Sequence, residues 1–185
     1  MQQNTAGRAR TLKVTTLGML AAVAIVLVAV IHLPILPAAP FLEYDPADIP
    51  ILIGTFLYGP WTGLALTVVV SLMLGITVSA ASGWIGIVMH ILATGAFALI
   101  AGNIYRVCHT RGGAALALVA GSIAMTIIMV GCNLVFTPIF MGTGIKEVIA
   151  LLVPAIIPFN LLKAGINSVA TFIVYKPLSK FLKRD

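Results

Sequence analysis

The chain has 185 residues, of which 61% are apolar types and only 9% are charged. Soluble domains carry about 25% charged residues, and a small fold buries only about two-thirds of its chain, so a soluble globular class is excluded in favour of an integral membrane protein. The net charge of +6 then reports orientation in the bilayer rather than an affinity for nucleic acid, because basic residues collect in cytoplasmic loops.

At about 20 residues per crossing plus loops, the length holds six spans. Residues 1–11 read as a frayed, basic cytoplasmic tail (Arg8, Arg10), 12–176 as one transmembrane domain, and 177–185 as a second basic cytoplasmic tail. The first apolar run extends from Leu12 to Ile31 without a small-residue cleavage site, so it is a retained span rather than a signal peptide. His32, Pro34, Pro37 and Pro40 open a loop that continues to Asp48. Ile49 to Tyr58 is too short to cross as a straight helix and is broken by Gly59-Pro60-Trp61. Helices over Thr62–Thr77 and Trp84–Tyr105 flank a small-residue turn at Ser79–Gly83. A basic loop, Arg106–Gly113, leads to a span over Ala114–Thr137, and a Gly-containing loop, Pro138–Glu147, leads to the last, Val148–Tyr175. Cys108 and Cys132 are too few for a disulfide framework. The fold class expected is an all-α integral membrane protein, a six-transmembrane-helix bundle with a short second helix.

Charge tests this segmentation. With six segments, Arg8, Arg10, Lys13, Arg106, Arg111, Lys176, Lys180, Lys183 and Arg184 share one side, and only Lys146 lies on the other. That asymmetry places both termini in the cytoplasm of a plasma-membrane protein, with the acidic loop 32–48 outside.

Lys163 lies deep in the final span, where a charge costs roughly 2.5–3.5 kcal/mol to insert and so faces a cavity or a partner. Asn160 and Asn167, at i−3 and i+4, share its helix face, and Asn133 adds a fourth polar side chain from the fifth span. Amides donate and accept while Lys only donates, a set that suits a flat heterocycle bearing carbonyls, ring nitrogens and an imide N–H. The structural alternative is an inter-helix hydrogen-bond network that only holds the bundle together. Pro154 and Pro158 precede the cluster and free backbone carbonyls, either to widen a cavity or simply to bend the helix.

The outer string Pro40-Phe-Leu-Glu-Tyr-Asp-Pro-Ala-Asp-Ile-Pro50 joins apolar side chains to three carboxylates. Leu42 and Tyr44 suit a lid over an aromatic ligand, and Glu43 is the acid assigned to ligand. Asp48, just before Ile49-Pro50, has the pattern of a helix N-cap. In the first span, Gly18-x-x-x-Ala22 offers the small-residue spacing that lets helices approach closely, within the bundle or against a partner.

No G-x-x-x-x-G-K-[ST] phosphate loop occurs, so ATP hydrolysis by this chain is not expected. His32, His90 and His109 lie in different segments without metal-ligand spacing, and His90 reads as a packed histidine within reach of the cavity. No catalytic constellation and no metal site are expected.

Two strings carry a resemblance. Phe41-Leu-Glu-Tyr-Asp-Pro-Ala-Asp-Ile-Pro50 and Pro158-Phe-Asn-Leu-Leu-Lys-Ala-Gly-Ile-Asn167 resemble the riboflavin-specific S component of energy-coupling factor (ECF) vitamin transporters, and Gly86-Ile-Val-Met-His-Ile-Leu-Ala93 agrees with it. The resemblance implies a non-enzymatic membrane subunit that captures riboflavin outside the cell, with FMN as a further ligand left open. It implies no cofactor, since the flavin is cargo. The implied partners are a transmembrane T component carrying two ATPase subunits. By the same resemblance Asn133, Asn160, Lys163 and Asn167 bind the flavin ring, Leu42, Glu43, Tyr44 and Asp48 belong to the covering segment, and Gly18 and Ala22 dock on the T component. The rival readings are an S component for another heterocyclic vitamin and a structural or assembly membrane protein.

Overall fold

The computed structural model describes residues 2–36 and 39–182; Pro37, Lys183 and Arg184, used in the loop and charge arguments, lie outside them. Helix α1 (Gln2–Val30) is followed by a two-residue ribbon pair, β1 (Leu33–Pro34) and β2 (Glu43–Tyr44). The pair is antiparallel, with Leu33 opposite Tyr44 and Pro34 opposite Glu43. Then come α2 (Asp48–Tyr58), α3 (Pro60–Ile76), a 3₁₀ turn (Ala80–Ser82), α4 (Gly83–Val107), α5 (Arg111–Met141), α6 (Ile145–Leu151), a π segment (Leu152–Ile156) and α7 (Ile157–Leu182).

Among the described residues, four stretches are long and apolar enough to cross a membrane: Gly7–Val30, Ala80–Val107, Arg111–Met141 and Ile145–Leu178. Helices α2 and α3 are apolar but shorter. At 1.5 Å per residue the 11 residues of α2 rise only about 16 Å, roughly half a hydrocarbon core. Such a helix needs protein around it. Ile51, Leu52, Ile53 and Phe56 are all buried, and α2 packs against α1, α3, α4 and α7. The long helices instead keep broad apolar faces outward, including Val14, Val26, Leu116, Ile127, Val169 and Ile173, the arrangement expected where lipid is the solvent.

The break between α2 and α3 is set by two residues. Gly59 adopts φ 96°, ψ 168°, a region open essentially only to glycine, and Pro60 starts α3 at N1, where its missing N–H costs nothing.

Several boundaries differ from the sequence reading. Helix α7 runs on through Pro177 to Leu182, so the segment expected as a separate tail from 177 is helical over its described part, and α5 starts at Arg111, inside the expected Arg106–Gly113 loop. The basic segment at Arg8 and Arg10 is helical, part of α1 rather than a frayed tail. Helix α5 runs through Pro138 to Met141 instead of stopping at Thr137, because the Pro138 carbonyl accepts from both Gly142 and Thr143 and closes the last turn. The expected loop Pro138–Glu147 thus contracts to residues 142–144. Finally, Pro154 and Pro158 do not simply bend the last helix. The chain widens into the π segment Leu152–Ile156 between α6 and α7, a local answer to the backbone bonds the prolines cannot make.

Candidate functional site

A cavity of about 180 Å³ opens between α3, α4, α5 and α7 beneath the loop that joins α1 to α2. Leu74, Ile85, Ala93, Met125, Met129 and Phe159 give it apolar walls, and Phe41 and Leu42 form the loop's contribution. Its polar lining includes Glu43, Asp45, Ser71, His90, Thr94, Asn133, Asn160 and Lys163.

The expected residues divide into two levels. Leu42, Glu43, Asn133, Asn160 and Lys163 line the cavity. Tyr44, Asp48 and Asn167 do not; they form a buried layer beside it. Asn167 lies four residues beyond Lys163, about 6 Å further along α7, so sharing a face does not put it at the same depth. There its Nδ2 donates to Asp48 Oδ2 at 2.9 Å, while its Oδ1 accepts from the Tyr44 hydroxyl at 2.9 Å. Tyr44 thus braces the loop against α7. Burial, reinforced by the Asp45 and Asp48 carboxylates, raises the Tyr44 phenol above its ordinary pKa and keeps it a donor.

Asp48 does not cap α2. Residue 47 occupies the N-cap position without a side-chain bond, and the Asp48 side chain points across the bundle to accept from Thr94 Oγ1 at 2.7 Å and from Asn167. The carboxylate is fully buried, and tertiary donors satisfy it in place of its own helix N–H groups.

Asp45 was not among the expected site residues. Lys163 Nζ donates to Asp45 Oδ2 at 2.6 Å. The Ala47 N–H donates to Asp45 Oδ1, and Asn167 Nδ2 lies 3.3 Å from the Asp45 carbonyl oxygen. Burial is the largest influence and would raise the Asp45 pKa, but the surrounding positive charge, Lys163 foremost, and the hydrogen bonds from Lys163 and the Ala47 N–H together hold the carboxyl below the usual carboxylate range. A single lysine deep in an apolar helix demands a counterion; that demand, with three carboxylates in one adjacent loop, was the signal available in the sequence.

The remaining amides are partly committed. Asn133 Nδ2 donates to the Met129 carbonyl and its Oδ1 accepts from Thr137. Asn160 Nδ2 donates to the Ile156 carbonyl at the edge of the π segment, which leaves Asn160 Oδ1 buried without a partner among the described residues. At the mouth, Glu43 pairs with His32. Gly18 and Ala22 are exposed on the outer face of α1, and a Cβ built on Gly18 meets nothing within 4 Å, so this pair does not serve packing inside the bundle.

Comparisons with known proteins agree with this architecture. A family model described as ECF transporter, substrate-specific component matches residues 12–175. The chain is 31% identical to riboflavin transporter RibU of Staphylococcus aureus (strain TCH60), over 100% of this chain and 95% of that protein. It is 25% identical to riboflavin transporter FmnP of Bacillus subtilis (strain 168), over 94% and 95% respectively. A structure titled as the S component of a bacterial ECF transporter superposes with a TM-score of 0.80 at 31% identity, covering 95% of this chain and 99% of that one.

Proposed function

The chain belongs to the substrate-specific (S) components of ECF transporters, and from that premise we propose that it captures riboflavin outside the cell in the cavity between α3, α4, α5 and α7. Membership makes it a substrate-binding transporter subunit and not an enzyme. The observation that carries the substrate reading is one apolar cavity with Lys163, Asn160 and Asn133 set into its lining. Apolar walls suit a flat aromatic ring, and a few convergent donors and acceptors orient its polar edge. The relatives named riboflavin transporters support the same ligand.

The ring enters with its carbonyl edge toward Lys163, whose ammonium has donors to spare beyond the one given to Asp45. The loop bearing Phe41 and Leu42 closes over it, held by Asp45 to Lys163 and by Tyr44 to Asn167. Six segments cross or enter the plasma membrane, with the continuous stretch Ile145–Leu178 as the last. The basic asymmetry supports cytoplasmic termini. The outward small-residue face at Gly18 and Ala22 supports docking of a T component, which with two ATPase subunits supplies the energy this chain lacks.

Reconstitution tests the assignment. Liposomes containing this chain alone should bind riboflavin without concentrating it, and adding a T component, the two ATPases and ATP should produce accumulation. Uphill uptake by the chain alone would overturn the reading.

A further inference from the structure

His90, on α4, lines the cavity with its side chain 15% exposed, and no bond of the loop-anchoring layer uses it. Its protonation pattern follows from its neighbour. Ser71 Oγ lies 2.6 Å from the Thr67 carbonyl oxygen and 2.7 Å from His90 Nδ1. Two oxygens that close need a proton between them, and a hydroxyl carries only one. The Ser71 proton is committed to Thr67, so Nδ1 carries the proton shared with Ser71. In the neutral ring Nε2 is then an acceptor.

That Nε2 is buried and has no hydrogen-bond partner among the described residues. Its nearest carboxylate oxygen, Asp48 Oδ1, stops 3.7 Å away and already accepts from Thr94. The charged groups around the ring are Asp45 from the loop, Asp48 from α2 and Lys163 from α7; α3 contributes the Ser71 hydroxyl. An unpartnered buried acceptor is costly in a closed core and makes sense on a cavity wall that a ligand completes.

We propose that His90 Nε2 accepts a hydrogen bond from the imide N3–H of the flavin ring, making His90 a specificity-determining residue for rings whose edge alternates carbonyl, N–H and carbonyl. The assignment rests on the riboflavin reading above. N3–H is the ring's one N–H donor, and Lys163, which only donates, serves the flanking carbonyls and cannot receive it. Asn160 Oδ1, the competing unpartnered acceptor on the lining, lies three residues from Lys163 on α7, and the titrations below separate it from His90.

The test is a set of titrations in detergent, using riboflavin and N3-methylriboflavin against the parent, His90→Ala and His90→Gln. The parent should bind riboflavin at least about tenfold tighter than the methylated flavin, one hydrogen bond's worth. His90→Ala should lose about tenfold for riboflavin and bind both flavins alike, since methylation then removes nothing. His90→Gln, whose amide oxygen accepts, should recover most of the affinity. Acidification should weaken the parent more than His90→Gln, because protonated Nε2 becomes a donor. Equal discrimination in the parent and His90→Ala would overturn the assignment, as would parent binding that strengthens on acidification. If His90→Ala does not fold, His90→Gln and the parent's pH profile decide. A parent that binds neither flavin refutes the riboflavin reading itself. A parent that binds both equally refutes only the role of His90.

Discussion

Lys163 anchors the covering loop through the same ammonium that the proposed function directs at the ligand. The 2.6 Å bond to Asp45 changes what its removal should do. Lys163→Met takes away donors, which should cost roughly 1.5–3 kcal/mol of binding, about 10- to 150-fold in Kd. It also strands the Asp45 carboxylate in a largely buried site, a defect worth about 3–5 kcal/mol of stability. The double variant Asp45→Asn with Lys163→Met removes both charges and should recover most of the lost thermal stability while binding stays weak. Unfolding midpoints beside flavin titrations separate the two effects. A double variant as unstable as Lys163→Met would contradict the ion-pair account. Lys163, Asn160 and Asn133 were legible from sequence because a polar side chain in an apolar helix stands out. Asp45, Ser71 and Thr94 were not: a loop carboxylate and helical hydroxyls are unremarkable until tertiary structure sets them against α7 and α4.

Among the elements, glycine sets how closely the helices approach. A Cβ on Gly121 of α5 would sit 2.3 Å from Phe97 Cδ2 of α4, and Phe97 is fully buried, so its ring has nowhere to swing. Gly121→Ala should destabilise by about 1–3 kcal/mol through overpacking. Gly131→Ala on the same helix, where a Cβ meets nothing, should stay within about 0.5 kcal/mol. Thermal unfolding in detergent compares them, and equal effects would contradict the α4–α5 packing described. The short α2 and its Gly59-Pro60 end were readable because both residues act locally. The passage of α5 through Pro138 and the π segment before α7 were not. A proline's effect depends on which acceptors its neighbours find, and that is decided by the turn that follows or the helix that packs alongside.

At the scale of the whole molecule, the apolar composition and the strong basic asymmetry made a membrane bundle legible before any coordinates. The cavity was not, because it is built by residues from four helices and a loop. Orientation has its own check in the native cysteines. Cys108 is exposed in the basic α4–α5 connection and Cys132 is buried. In intact cells an impermeant maleimide should reach Cys108 only after permeabilisation. Lys146→Cys in a Cys108→Ser background, exposed at the start of α6, should label without it. Labelling of both from the same side would contradict cytoplasmic termini. The claim on which everything else stands is that the cavity holds a flavin. Quenching of riboflavin fluorescence by the purified chain measures it most directly. Tight, saturable quenching at about one flavin per chain is expected, weakened in the Asp45→Asn, Lys163→Met double variant; quenching that is absent, or unchanged in that variant, would contradict flavin binding in this cavity.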